Sequence, residues 1–299
     1  MSLSYGEELR RICTDLRVSE PLSRHTSLAI GGPADYFAEV STFDEIRSLR
    51  LFVEANHIPV FFLGAGSNLL ISDKGVRGIV LRLQGEFRNA SFEGETVQAG
   101  ASVWMPSLSR QAAEHGLSGL EPLIGVPGTI GGGLIMNAGT REGSLGDVVE
   151  SVDVLSAEGG KQTLLREEIG FEYRRSGLAG RWILSSRLRL KAADRSTIIS
   201  RIDELLKYRA RTQPLGTSNC GSVFKNPQGE WAARLIEQAG LKSFRAGGAH
   251  ISERHANFII NDRQAKAADI RELMDVVQKK VFEKFGIKLE LEIKLVGEW

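Results

Sequence analysis

The chain is poor in features that would narrow its chemistry at once. It has two cysteines, Cys13 and Cys220, too few for a disulfide framework and grouped with no other metal ligands. No apolar run approaches the roughly 20 residues that a membrane-spanning helix needs. Its 38 Lys and Arg almost balance 37 Asp and Glu, a net charge of +1. No global field therefore draws it to nucleic acid or to an anionic membrane. The first residues lack the basic start and apolar core of a signal peptide, so a reducing cytoplasm is the expected location. His250 and His255 do not share a helical face and have no carboxylate-rich partner motif, so no metal is expected. Internal repeats and low-complexity tracts are missing too.

Densely clustered glycine is what the chain has instead. Gly125-Val126-Pro127-Gly128-Thr129-Ile130-Gly131-Gly132-Gly133 holds five glycines and a proline in nine residues. It runs on into Leu134-Ile135-Met136-Asn137-Ala138-Gly139. Glycine lets backbone approach a ligand without a Cβ in the way, so this stretch reads as a binding wall made of main chain. A second turn, Gly64-Ala65-Gly66-Ser67-Asn68-Leu69, follows the short apolar run Pro59–Leu63. Consecutive amides after a strand form an anion-binding nest. A Rossmann site is excluded, because Leu69 stands where the third glycine belongs and no amphipathic helix follows. A P-loop is excluded by the lack of Gly-Lys-Ser/Thr. Two glycine turns in one half of the chain point to a large, phosphate-bearing ligand.

The length of 299 residues suggests about two domains. Spacing predicts helices over 5–15, 43–55, 104–115, 198–211, 231–238 and around 270–281, with strands over 35–40, 59–63, 79–81, 90–92, 96–98, 148–155 and 182–190. Leu289, Leu291, Ile293 and Leu295 alternate with Glu290, Glu292 and Lys294, the pattern of a half-buried strand. The resulting class is α+β. The expected division is a helical lead-in over 1–20, a ligand-binding domain of two α+β layers over 21–192, and a C-terminal α+β domain over 195–299.

Two further segments carry reactive residue types. Asn219-Cys220-Gly221-Ser222-Val223-Phe224-Lys225-Asn226-Pro227 offers a hydroxyl after a glycine, with a cation nearby. Ser222 lies in no G-x-S-x-G elbow, which argues against a hydrolase nucleophile. Phe171-Glu172-Tyr173-Arg174-Arg175-Ser176-Gly177 sets two arginines beside aromatics, and an arginine fork suits carboxylate or phosphate. Taken alone, each of these segments also reads as an ordinary polar turn.

Together these segments resemble the UDP-N-acetylenolpyruvoylglucosamine reductases. The resemblance is carried by His25-Thr26-Ser27, Ile30-Gly31-Gly32-Pro33-Ala34-Asp35, the turn Gly64–Leu70, the two glycine stretches over 125–132 and 136–139, Tyr173-Arg174-x-Ser176, Gly221–Pro227, Ala233–Lys242 and Leu289-Glu290-x-Glu292. It covers residues 20–297, and Gly-Ser-x-Phe-Lys-Asn-Pro is its most specific part. It implies an FAD-binding fold of the vanillyl-alcohol-oxidase type followed by a substrate domain. It further implies non-covalent FAD, NADPH as co-substrate and a UDP-sugar enolpyruvyl ether as substrate, in peptidoglycan precursor synthesis and hence cell-wall growth, shape and division.

The implied FAD contacts are Gly64, Ala65, Gly66, Ser67, Asn68 and Leu69, with Gly125, Val126, Pro127, Gly128, Thr129, Gly131, Gly132, Asn137, Ala138 and Gly139. Arg174 matches the arginine that polarises the substrate carboxylate, Glu292 a glutamate acting near it in protonated form, and Ser222 the proton donor. Lys225 could assist Ser222. Asn226 matches a substrate-binding asparagine, and Tyr173 lines the same pocket. Thr140-Arg141-Glu142-Gly143 replaces the Ala-Tyr-Gly common in the family. The short span from Ser176 to Gly221 has no tyrosine-bearing lid, so the compact branch is the nearer match. A flavin oxidase of the same fold would not explain Gly221–Pro227, and a silent nucleotide-sugar binder would not explain Arg174, Ser222 and Glu292 together. Nothing in the sequence specifies an oligomer, and a monomer is favoured.

Overall fold

The computed structural model describes residues 5–13 and 15–299. The chain divides into two compact units. The first takes the described residues of Met1–Val18 together with Tyr36–Ala65 and Gly78–Tyr208; the second takes Ser19–Asp35, Gly66–Arg77 and Arg209–Trp299. The units thus do not follow the linear order expected from sequence. Leu28, Ile30 and Leu70 belong to the same buried core as Leu235, Ile270 and Ile293, which draws two early segments into the second unit. The expected break at 193–196 falls at the start of the helix Arg195–Thr212. Ile198 and Ile202 of that helix pack with Ala113 and Ile124, which keeps the chain in the first unit as far as Tyr208.

In the first unit, the helix Phe43–Asn56 begins where Thr42 Oγ1 accepts the Glu45 amide at 3.3 Å, an N-cap. It buries Ile46, Leu49 and Val53, and His57 ends it in the left-handed region at φ 51°. The chain then returns as Val60–Phe62, paired in parallel with Ile79–Leu81. A separate five-stranded antiparallel sheet orders Lys161–Leu165, Val149–Leu155, Trp182–Arg189, Thr96–Gly100 and Ala90–Glu93. The glycine-rich stretch holds a helix that the sequence pattern did not reveal, Ile130–Met136.

The second unit packs the helices Ala232–Gln238 and Ala267–Phe285 with a three-stranded sheet, Arg245–Ala246, Ala249–Ile251 and Ile259–Asn261. Asp73 caps the long helix from far away in sequence, accepting the amides of Ala267 at 2.9 Å and Ala268 at 3.3 Å. The expected strand over 289–295 is only partly paired. Leu291 makes one bridge to Phe224, and Lys294–Val296 pairs in parallel with Leu69–Ile71. Leu289 and Ile293 are buried while Glu290 is exposed, so the burial alternates although the pairing partner changes midway.

Asp153 is a buried carboxylate on the five-stranded sheet. Burial alone would raise its pKa, but the Lys161 ammonium at 2.8 Å and hydroxyls of Thr163 and Ser185, each at 2.7 Å, hold it below the ordinary carboxylate range. A depressed folded pKa stabilises above the unfolded value and ceases to do so as pH falls through the folded one. Asp153→Asn is therefore expected to destabilise by about 1.5–3 kcal/mol at pH 7 and by progressively less below pH ~4. Unfolding midpoints followed by circular dichroism at both pH values check this; a loss that does not shrink in acid would contradict it.

Candidate active site

The first candidate surface starts at Leu63-Gly64-Ala65. The amides of Gly64, Ala65 and Gly66 donate to no described residue. A Cβ on Gly64 would stand 2.6 Å from Thr129 Oγ1, so no larger side chain fits without displacing Thr129. Gly64, Ala65, Trp104, Gln111 and Thr129 line one cavity of about 620 Å³ within the first unit. Trp104, 41% exposed, and Gln111 were not singled out from sequence; the only signal was an aromatic just before the Met105-Pro106 helix start.

The stretch Gly125–Gly139 does two jobs. The amides that open the helix Ile130–Met136 are spent inside the protein. Ile130 donates to Val103 O at 2.9 Å, Gly131 to Ala101 O at 2.8 Å, Gly132 to Thr129 Oγ1 at 3.4 Å and Gly133 to Thr129 O at 2.8 Å. A Cβ on Gly133 would come within 2.6 Å of Met105 Sδ, and one on Gly139 within 2.3 Å of Gly143 O. Part of the glycine density thus serves close packing. Val126 is tied to Leu123 O, Pro127 is exposed and Gly128 is buried. Ala138 donates to Gly133 O, and Gly139 pairs with Ser144. Asn137 caps the helix, and both ends of its side chain bond to protein: Nδ2 to Glu172 O at 3.0 Å, and Oδ1 from the Gly146 amide at 2.9 Å.

That bond leads to Arg174. Glu172 and Arg175 bond each other through their main chains at 2.9 and 3.2 Å, leaving Tyr173 and Arg174 as the tip of a two-residue turn. Arg174 takes φ 56°, and its guanidinium lies 5.0 Å from the centre of the half-exposed Tyr173 ring. A bulky residue in the left-handed region is uncommon, and such strain clusters at functional sites.

In the second unit the segment around Ser222 is gripped from two sides. Val223 O accepts the Glu292 amide at 2.8 Å, and Lys225 N–H donates to Glu290 O at 2.9 Å. Opposite, Asn257 is 3% exposed and accepts the Phe224 amide at 2.9 Å while donating to Phe224 O at 2.8 Å. This side chain replaces a neighbouring strand, and nothing local in the sequence marks it. Gly221 adopts φ 75° with open space where a Cβ would go, so conformation rather than room requires glycine there. Ser222 Oγ has no hydrogen-bond partner among the described residues.

Glu292 is half-buried. Its carbonyl accepts from Asn68 Nδ2 at 3.1 Å, and Lys294 N–H donates to Asn68 O at 3.0 Å. The second unit therefore gathers Asn68, Leu69, Ser222 and Glu292 onto adjoining segments. Burial pushes the Cys220 thiol up to about 12, with the Glu292 charge adding to the effect. The Lys225 ammonium pairs with Glu290 at 3.1 Å, and Asn226 Oδ1 accepts the Ala232 amide at 3.0 Å, capping the next helix. Gly66 takes φ 64°, and a Cβ on it would lie 2.1 Å from His25 O, which explains the His25-Thr26-Ser27 stretch beside it.

The C-terminal domain model of UDP-N-acetylenolpyruvoylglucosamine reductase matches residues 213–296, and an FAD binding domain model matches residues 34–164. The chain is 47% identical to UDP-N-acetylenolpyruvoylglucosamine reductase 2 of Symbiobacterium thermophilum, over 98% of this chain and 96% of that one. It is 46% identical to the Moorella thermoacetica reductase over 98% and 97%. The chain belongs to the UDP-N-acetylenolpyruvoylglucosamine reductase family. The crystal structure of the family member from Thermus caldophilus is similar throughout, with a TM-score of 0.83 and 40% identity over 94% of this chain and 100% of that one. This reductase-family chain is an FAD-dependent oxidoreductase of the α+β class, with an FAD binding domain and a C-terminal domain of the family's own kind. The first unit fits that cofactor: the amides of Gly64 and Ala65, which donate to no described residue, suit a pyrophosphate, and the adjoining cavity is lined by Gly64, Ala65 and Thr129. Among the described residues no helix is long and apolar enough to cross a membrane.

The strain at Arg174 is measurable. Arg174→Gly relieves roughly 1–2 kcal/mol of left-handed cost that Arg174→Ala keeps, while both variants lose the contacts of the side chain. Arg174→Gly is therefore expected to unfold later than Arg174→Ala. Thermal midpoints of the two variants check this, and the reverse order would contradict it.

Proposed function

We propose that the chain reduces UDP-N-acetylglucosamine enolpyruvate to UDP-N-acetylmuramate with NADPH, a step of peptidoglycan precursor synthesis. The observation that carries the reading is an uncommitted hydroxyl, Ser222, on a segment bonded directly to the backbone of Glu292, in a chain of this family. FAD would supply two-electron hydride chemistry linking NADPH to the terminal methylene carbon of the enolpyruvyl group, and the amides of Gly64, Ala65 and Gly66 would hold its pyrophosphate. The chain's own residues manage the charge and the proton. Arg174 binds the substrate carboxylate and stabilises the negative charge that develops on it and on the α-carbon, an electrostatic role greatest in the transition state. Glu292, protonated, donates a hydrogen bond to the same carboxylate. Ser222 gives its proton to the α-carbon, completing the saturated lactyl ether, and recovers a proton from solvent. Tyr173, Lys225 and Asn226 contribute to substrate binding.

Ser222→Ala is expected to leave bleaching of the flavin by NADPH intact and to slow its reoxidation by the enolpyruvyl sugar about 10²–10⁴-fold. Anaerobic rapid mixing separates the two steps, and equal slowing of both would contradict the proton-donor role. Glu292→Gln, whose amide can still donate, is expected to retain more activity than Glu292→Ala. The opposite ranking in steady-state rates would indicate an ionised carboxylate.

A further inference from the structure

We infer that Asn137 is a positioning residue for Arg174, setting the turn that presents the guanidinium to the substrate carboxylate. The inference deepens the proposed reductase reading and rests on the role given there to Arg174.

The helix Ile130–Met136 ends at Asn137, whose φ of 42° turns the side chain out of the helical path. Asn137 is 8% exposed, and its amide is saturated by two main-chain groups distant from each other in sequence: Glu172 O at 3.0 Å and the Gly146 amide at 2.9 Å. An amide donates to a carbonyl with one end and accepts from an N–H with the other, whereas a carboxylate offers two acceptors. Glu172 is the residue whose main chain closes the turn with Arg175, so the bond fixes the base of the tip that carries Arg174. The other flank hangs on the same helix end. Ser176 Oγ donates to Ile135 O at 3.2 Å and accepts the Leu178 amide at 3.3 Å. Gly177 N–H donates to Ile169 O at 2.8 Å. Room for the clamp comes from Gly146, where a Cβ would lie 2.9 Å from Asn137 Oδ1 and 2.7 Å from Phe171 Cγ.

The same helix end thus holds both sides of a strained turn, and the residue at its tip is the arginine. A side chain spent in this way is not available to FAD, so any FAD contact at Asn137 is left to its backbone.

Four variants test the inference: Asn137→Gly, which keeps the backbone conformation and deletes both bonds; Asn137→Asp, which keeps the Gly146 bond and loses the donor to Glu172; Arg174→Ala; and Arg174→Ala with Asn137→Gly. Each is purified with FAD, and its flavin content and thermal midpoint are recorded. In both Asn137 variants any slowing of the bleaching by NADPH should be smaller than the slowing of sugar reduction. Reoxidation by the enolpyruvyl sugar should slow roughly 10–10²-fold, the scale of a 1 Å misplacement. The double variant should be no slower than Arg174→Ala alone, because a residue acting only through Arg174 has nothing left to position. Calorimetric affinity for UDP-N-acetylmuramate, measured without turnover, should fall in Asn137→Asp but not fall further on adding Asn137→Gly to Arg174→Ala. Additive losses, loss of FAD with both half-reactions slowed alike, or unchanged sugar reduction in both Asn137 variants would each overturn the inference. If Arg174→Ala itself leaves sugar reduction and product affinity unchanged, the role of Arg174 falls, and this inference with it.

Discussion

Two buried asparagine side chains hold the backbone of the turns that carry Arg174 and Ser222. Asn137 bonds Glu172 and Gly146 in the first unit, and Asn257 bonds both main-chain groups of Phe224 in the second. In each case an amide stands where a neighbouring strand would otherwise satisfy the main chain. Buried backbone groups left unpaired cost about 1–3 kcal/mol each, so these contacts define local conformation more sharply than packing alone. A strand in that place would have to be accommodated along its whole length. One side chain leaves the adjoining residues, Arg174 and Ser222, to take their conformation from the turn itself.

Steric absence complements these contacts. Gly64 and Gly66 bring backbone up against Thr129 and His25, where a Cβ would collide. The reward is a run of amide donors that no described residue consumes. The glycines of the Ile130–Met136 helix work differently. Their amides are bonded internally, and the missing side chains let the helix settle against Ala101 and Met105. Dense glycine thus has two physical meanings in one chain, exposed donors in the first turn and close packing in the second stretch.

Much of the scaffold was legible in the sequence because it rests on local physics. The helices Phe43–Asn56, Met105–Glu114 and Ala267–Phe285 announce themselves by apolar spacing, and the family motifs supplied candidate site residues. The Ile130–Met136 helix was not legible, since glycine is a weak helix former and its place is set by contacts with Ala101, Val103, Met105 and Leu145. The clamps at Asn137 and Asn257 were equally hidden. Their partners lie 35 and 33 positions away, so only tertiary structure reveals what the amides bond. The interleaving of the two compact units was hidden for a similar reason: Leu28, Ile30 and Leu70 are buried with residues more than 150 positions later. At the C-terminal end the alternation of Leu289 to Leu295 correctly gave the buried face, but periodicity cannot name a pairing partner.

The central claim is that reducing equivalents enter from NADPH through FAD and leave only to an enolpyruvyl nucleotide sugar. Anaerobic stopped-flow absorbance of the unaltered holoprotein tests it most directly. NADPH should bleach the flavin, and one equivalent of UDP-N-acetylglucosamine enolpyruvate should restore the full colour without oxygen. A flavin that stays reduced with the sugar present and recovers only when air is admitted would contradict the account.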